Sequence, residues 1–119
     1  MIAMLVVLFI FLGFSGTALA HPPSEIIISY DPETKILQAV IMHAVGNPQA
    51  HFIKKVDVSL NGKEILTQLL SRQDNNNSQT VNYLIPDAKD SDTLAVEAYC
   101  SISGKLEKEI KAGSWGEKK

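Results

Sequence analysis

From residue 21 onward the chain alternates apolar and polar residues in short runs, each closed by turn residues. A period of two marks strands that bury one face, and runs of this length between turn signals are strand-sized. The pattern predicts strands over about Glu25–Tyr30, Lys35–His43, Phe52–Leu60, Glu64–Leu70, Thr80–Ile85, Thr93–Cys100 and Lys105–Ile110. The breaks carry their own chemistry. Asp31-Pro32-Glu33-Thr34 is a turn with proline fixing φ at its second position. Gly46-Asn47-Pro48 interrupts the chain, Gln73–Ser78 reads as a polar loop, and Pro86-Asp87 with Lys89–Asp92 forms a further connection. Asn61-Gly62 between two strand patterns is the strongest hairpin signal in the sequence.

Alternation also assigns faces. In the third strand Val56, Val58 and Leu60 share one side and Lys55, Asp57 and Ser59 the other, while Leu94, Val96, Ala98 and Cys100 line one face of the sixth. Seven such strands predict an all-β fold, an immunoglobulin-like antiparallel β-sandwich. A helix over Lys63–Leu70 is the local rival, because periodicity alone does not settle a segment that short. There is no internal repeat. One domain over residues 21–112 is expected, followed by a flexible, unpaired tail over 113–119.

Residues 1–20 hold no charged side chain. They run from an apolar core through Gly13 and Gly16 to Ala18-Leu19-Ala20. This is the small-x-small pattern of a secretory cleavage site, so the expected mature chain begins at His21 and is exported, periplasmic or extracellular. No lysine or arginine precedes the apolar core, and about 20 apolar residues are also long enough for an uncleaved anchor. Once the segment is removed, no association with a membrane is expected. The whole chain has 11 basic and 13 acidic side chains, a formal charge of −2. With no basic stripe and no set of stacking aromatics, it carries no signature of nucleic-acid binding.

The candidate chemistry lies in three histidines, His21, His43 and His51, and the single cysteine, Cys100. If successive strands alternate direction, the start of the first strand, the loop between the second and third, the loop after the fourth and the turn after the sixth share one end. His21 precedes the first strand, His43 closes the second, His51 opens the third and Cys100 closes the sixth. Imidazole and thiolate are common ligands of iron, copper and zinc. Each residue also has a plainer reading: His43 as a half-buried side chain bonded to a carbonyl, His51 as a surface loop residue, Cys100 as a small buried hydrophobe. A single cysteine in an exported chain makes no internal disulfide. Cleavage before His21 would add a free α-amine beside its imidazole, and the two together chelate a metal. Lys54, Lys55, Arg72 and Lys105 lie toward the same end, as guides for an anion or as solvated surface charge.

Two segments carrying these residues resemble the superoxide reductases, the iron domains of neelaredoxin and desulfoferrodoxin. His43–Val58, HAVGNPQAHFIKKVDV, is similar to the family's two-histidine segment, and Val96–Glu107, VEAYCSISGKLE, to its closing cysteine motif. The resemblance implies an immunoglobulin-like domain with His43 and His51 as equatorial ligands, Cys100 as the axial thiolate, and His21 in the place of the N-terminal histidine. The chain departs from the pattern in three ways. Ser103 stands where the family has its fourth histidine, with Gly104 beside it leaving room in the turn. The His43–His51 spacing is longer. The family's Glu-Lys pair, whose lysine attracts superoxide, has no counterpart ahead of His21 in a chain that starts there.

The expected cofactor is therefore mononuclear non-haem iron, with copper or zinc as alternatives. The expected partners are a small-molecule oxidant and an external electron donor. Two other readings stand beside a superoxide-reducing enzyme: a non-enzymatic metal-binding module, and a sandwich that serves protein interaction.

Overall fold

The computed structural model describes residues 21–114. Seven strands follow one another: β1 Glu25–Asp31, β2 Ile36–Met42, β3 Ile53–Leu60, β4 Lys63–Leu69, β5 Ser78–Leu84, β6 Thr93–Cys100 and β7 Lys105–Lys111. They form a three-stranded sheet, β1-β2-β5, and a four-stranded sheet, β4-β3-β6-β7. Every pairing is antiparallel. The protein is an immunoglobulin-like β-sandwich, and the expected strands match the observed ones to within two residues at each end.

The turns explain the order. Asn61 and Gly62 take φ of +52° and +86°, left-handed values that a two-residue turn of this kind requires. That turn keeps β4 beside β3, whereas the constant-type immunoglobulin arrangement pairs the fourth strand with the fifth. The Lys63–Leu70 segment is thus a strand rather than a helix. At the β1–β2 turn Lys35 adopts φ +66°, and its amide donates to the Asp31 carbonyl at 2.7 Å.

The two sheets bury their facing residues. Ile26 and Tyr30 from β1, Leu37, Ala39 and Ile41 from β2, and Val81 from β5 meet Ile53, Val56, Val58, Leu94, Val96 and Ala98 from the other sheet. Alternation holds along β2 and along β3 from Lys55 onward, so one face of each is buried and apolar, while the outward face of β3 carries Lys55 and Asp57. Tyr30 lies fully inside, and its hydroxyl donates to the Ile85 carbonyl at 2.7 Å, so the deepest phenol is not left unsatisfied.

The expected tail begins two residues too early. Ala112–Ser114 ends the described residues as a 3-10 turn, with Ala112 buried and its amide donating to the Asp92 carbonyl at 2.8 Å. The rest of that tail, and the segment 1–20 with its expected cleavage site, lie outside the described residues.

Candidate metal centre

The inward faces of β2, β3 and β6 run out at the same end of the sandwich. On β2 the period continues past Leu37, Ala39 and Ile41 to His43, which is 1% exposed. On β6 it continues past Leu94, Val96 and Ala98 to Cys100, 2% exposed. His51 stands two residues ahead of buried Ile53 at the mouth of β3. These side chains are the polar top layer of the core, and that is why they point toward one another.

Local chemistry fixes each approach. An Asx turn delivers His51: the Asn47 carboxamide oxygen accepts from Gln49 N at 3.0 Å, and the Asn47 carbonyl accepts from Ala50 N and His51 N at 3.0 and 2.9 Å. Pairing of Ile53 with Cys100 then sets the cysteine beside it. His43 is anchored at its backbone, where its amide donates to the Asn77 carbonyl at 2.9 Å. The His21 ring is held by carbonyls, with Nε2 3.0 Å from Ala44 O and Nδ1 3.1 Å from Pro22 O, and Pro22 itself passes close over the β6–β7 turn. Gly104, at φ +95°, lies so near that a Cβ there would stand 2.9 Å from the Pro22 backbone.

The result is a cluster. Ligand-capable nitrogens of His21, His43 and His51 lie within 4.8 Å of one another. Their ring centroids are 4.9, 5.1 and 4.9 Å apart. His51 Nε2 is 3.1 Å from Cys100 Sγ, and the Ile102 amide donates to the same sulfur at 3.4 Å. All four expected residues meet at one end, the three histidines as a group and Cys100 through its contact with His51. A cavity of about 370 Å³, lined by His21, Ala44, Val45, Gly46 and His51, opens from this cluster to solvent.

The charge state suits cation binding. Burial holds the His51 imidazole below its ordinary value, and His43 and His21 push it the same way. A neutral imidazole keeps the lone pair that a metal needs. Among the described residues the cluster consists of histidines, with no carboxylate in the group. Neutral nitrogen with one sulfur is a donor set for iron, copper or zinc rather than for calcium or magnesium. The residues present therefore fit a borderline or soft metal.

Three expectations change. Lys55 Nζ lies 3.8 Å from Asp57 Oδ2 and 4.3 Å from the Tyr99 ring centroid. Lys105 Nζ lies 3.3 Å from Glu97 Oε2 and 5.6 Å from the same ring. Both cations are thus tied to the outer face of the four-stranded sheet and are not free guides for an anion. The Tyr99 hydroxyl between them donates to Glu97 at 2.9 Å, which with burial and nearby carboxylates pushes its pKa up to about 12. Ser103 is exposed. The space beside it at Gly104 is taken by Pro22, so Gly104 itself opens no room in the turn.

One residue escaped the sequence reading. Gln73, expected as the start of a polar loop, is fully buried. Its Oε1 lies 2.8 Å from His43 Nδ1, and its Nε2 donates to the carbonyls of His43 and Asn75 at 2.8 and 3.0 Å. No local signal distinguishes this glutamine from a solvated one, because the fold buries it from a distance.

Fold and site together define a small β-sandwich with a three-histidine, one-cysteine cluster at one end. Comparison of the chain with protein-family models, curated proteins and solved structures finds no significant match.

Gly104→Ala is expected to lower stability by about 1–3 kcal/mol, since it forces a side chain into a left-handed backbone against another backbone. Because Pro22 must move, metal affinity should fall as well. Urea unfolding and metal titration of the variant check both. The depressed His51 pKa carries a sign. The folded state prefers neutral imidazole, so its contribution is intact above the ordinary value of 6.5 and is lost as pH falls through the lower folded pKa. The metal-free protein should therefore melt at progressively lower temperature as pH drops from 7 to 5, and His51→Asn should flatten that slope.

Proposed function

We propose that His21, His43, His51 and Cys100 hold one metal ion, iron first with copper or zinc as alternatives, in an exported protein of superoxide-reductase type. The observation that carries this reading is the contact of His51 with Cys100 inside a cluster that also gathers His21 and His43. Iron in this donor set would supply one chemistry, the donation of a single electron to a small oxidant such as superoxide, with an external donor returning the electron. The chain's own residues do the rest. Cys100 would supply a sulfur ligand, and a thiolate bound to a metal raises the electron density there. The histidines are held at the top of a packed core, and burial lowers the His51 pKa so that its ring favours the neutral form. The cavity beside Ala44–Gly46 admits a small molecule while the sandwich closes the opposite side to water.

A specific observation favours the second reading, a non-enzymatic metal-binding module. Lys55 and Lys105 are engaged elsewhere, and Ser103 stands exposed where the resemblance has a histidine, so the devices that would speed an anionic substrate are reduced. Metal content of protein purified under reducing conditions separates both readings from a metal-free interaction module. Superoxide-dependent oxidation of the loaded protein then separates the first from the second.

Cys100→Ser is expected to remove the visible thiolate-to-metal absorption of the oxidised iron form. It should also weaken metal binding by more than the roughly 10–100-fold that outer-shell changes cost. Far-ultraviolet circular dichroism should remain that of a β-sandwich. Equal iron affinity in parent and variant would make Cys100 a core residue and nothing more. Export belongs to the same proposal: the intact mass of secreted protein should correspond to a chain beginning at His21, whose α-amine then becomes available as a further nitrogen donor. A mass that retains residues 1–20 removes that amine.

A further inference from the structure

Gln73 sits where a metal-binding histidine needs its partner. It is 0% exposed, in the loop between β4 and β5, and both ends of its carboxamide are bonded locally. The Nε2 end faces two carbonyl oxygens, His43 O at 2.8 Å and Asn75 O at 3.0 Å. Carbonyls only accept, so that end must be the NH₂ group, and the amide has one orientation. Its Oε1 therefore faces His43 Nδ1 at 2.8 Å. An amide oxygen also only accepts, so Nδ1 must carry the proton. In the singly protonated ring the lone pair is then left on Nε2, whose neighbour is the His21 carbonyl oxygen at 3.3 Å, a longer contact that a metal ion would replace.

We propose that Gln73 is the positioning residue of the metal centre: it locks His43 as the Nδ1–H tautomer and so offers Nε2 as the metal ligand. The proposal rests on the metal-centre reading above. The loop is built to deliver this one side chain. Gln73 N donates to the Pro48 carbonyl at 3.0 Å, tying the loop to the His51 turn. Asp74 N donates to the side chain of Gln79, a second buried glutamine, at 2.9 Å, while Asp74 Oδ2 accepts from Thr80 N at 2.9 Å. Gln79 secures the loop through Asp74 and Thr80, and of the two glutamines it is Gln73 that bonds to the His43 ring. Metal-bound histidines commonly donate their second ring N–H to such a partner, which fixes tautomer and orientation.

The test uses two variants of the full chain, Gln73→Met and Gln79→Met, each close in volume to glutamine. In the metal-free parent, nitrogen-15 shifts of His43 should report the Nδ1–H tautomer. Gln73→Met should release it toward the Nε2–H form and weaken Fe(II) or Zn(II) binding by about 10- to 100-fold. Gln79→Met should loosen the loop, seen as faster amide exchange over residues 73–78, yet keep the His43 tautomer and the metal affinity. Equal loss of metal in both variants would make Gln73 a loop-packing residue and overturn the proposal. So would a parent in which His43 carries its proton on Nε2. A parent with the Nδ1–H tautomer that binds no metal would overturn the metal centre itself, and the positioning role with it.

Discussion

The structure depends on one constraint: two sheets must bury their facing side chains at a period of two, and nothing polar can enter between them without a partner. Along β2 and β6 the rule is kept by Leu37, Ala39, Ile41, Leu94, Val96 and Ala98. At one end the same period brings in His43 and Cys100. They inherit their inward direction from the strands, and polar groups so placed must be bonded to something. His43 meets Gln73, and Cys100 meets His51 and the Ile102 amide. The cluster is the boundary layer of the core.

Long-range pairing supplies the rest. Register between β3 and β6 sets Ile53 against Cys100, so the loop that ends in His51 arrives over the sulfur. Register between β2 and β5 sets Met42 against Ser78. This brings the β4–β5 loop alongside His43, where Asn77 and Asn76 accept from the amides of His43 and Val45. Pro22 against Gly104 completes the rim. Four segments distant in sequence are thus held by backbone bonds, which gives a site built from loops the rigidity of the sheets beneath them.

The electrostatics of the site follow from what is missing beside the histidines as much as from what is present. No carboxylate joins the group among the described residues, and burial lowers the His51 pKa. Imidazole nitrogen and a cysteine sulfur are donor types that suit a borderline metal. The orienting group behind His43 is likewise an uncharged amide rather than a carboxylate, so the ring is aimed without added negative charge. Lys55 and Lys105 are drawn to Tyr99, Asp57 and Glu97 on the outer face of the four-stranded sheet, and the mouth of the cavity is lined by small side chains and imidazoles.

The sequence by itself determined the strands, because alternation and turn chemistry are local. Asn61-Gly62 marks its hairpin without reference to anything distant, and Thr93–Cys100 is bounded by turns on both sides. It also determined which end of the sandwich His21, His43, His51 and Cys100 share, since strand direction follows from counting antiparallel steps. Tertiary structure alone decided three things. The burial of Gln73 depends on a loop folding back over β2. Gly104 is needed for the approach of Pro22, from 82 residues earlier in the chain. Lys55 and Lys105 were lost as guides because Tyr99 stands between them across the strands. In each case the decisive contact joins residues far apart in the chain, and a local pattern of polar and apolar positions holds no information about which distant group will fill a given space.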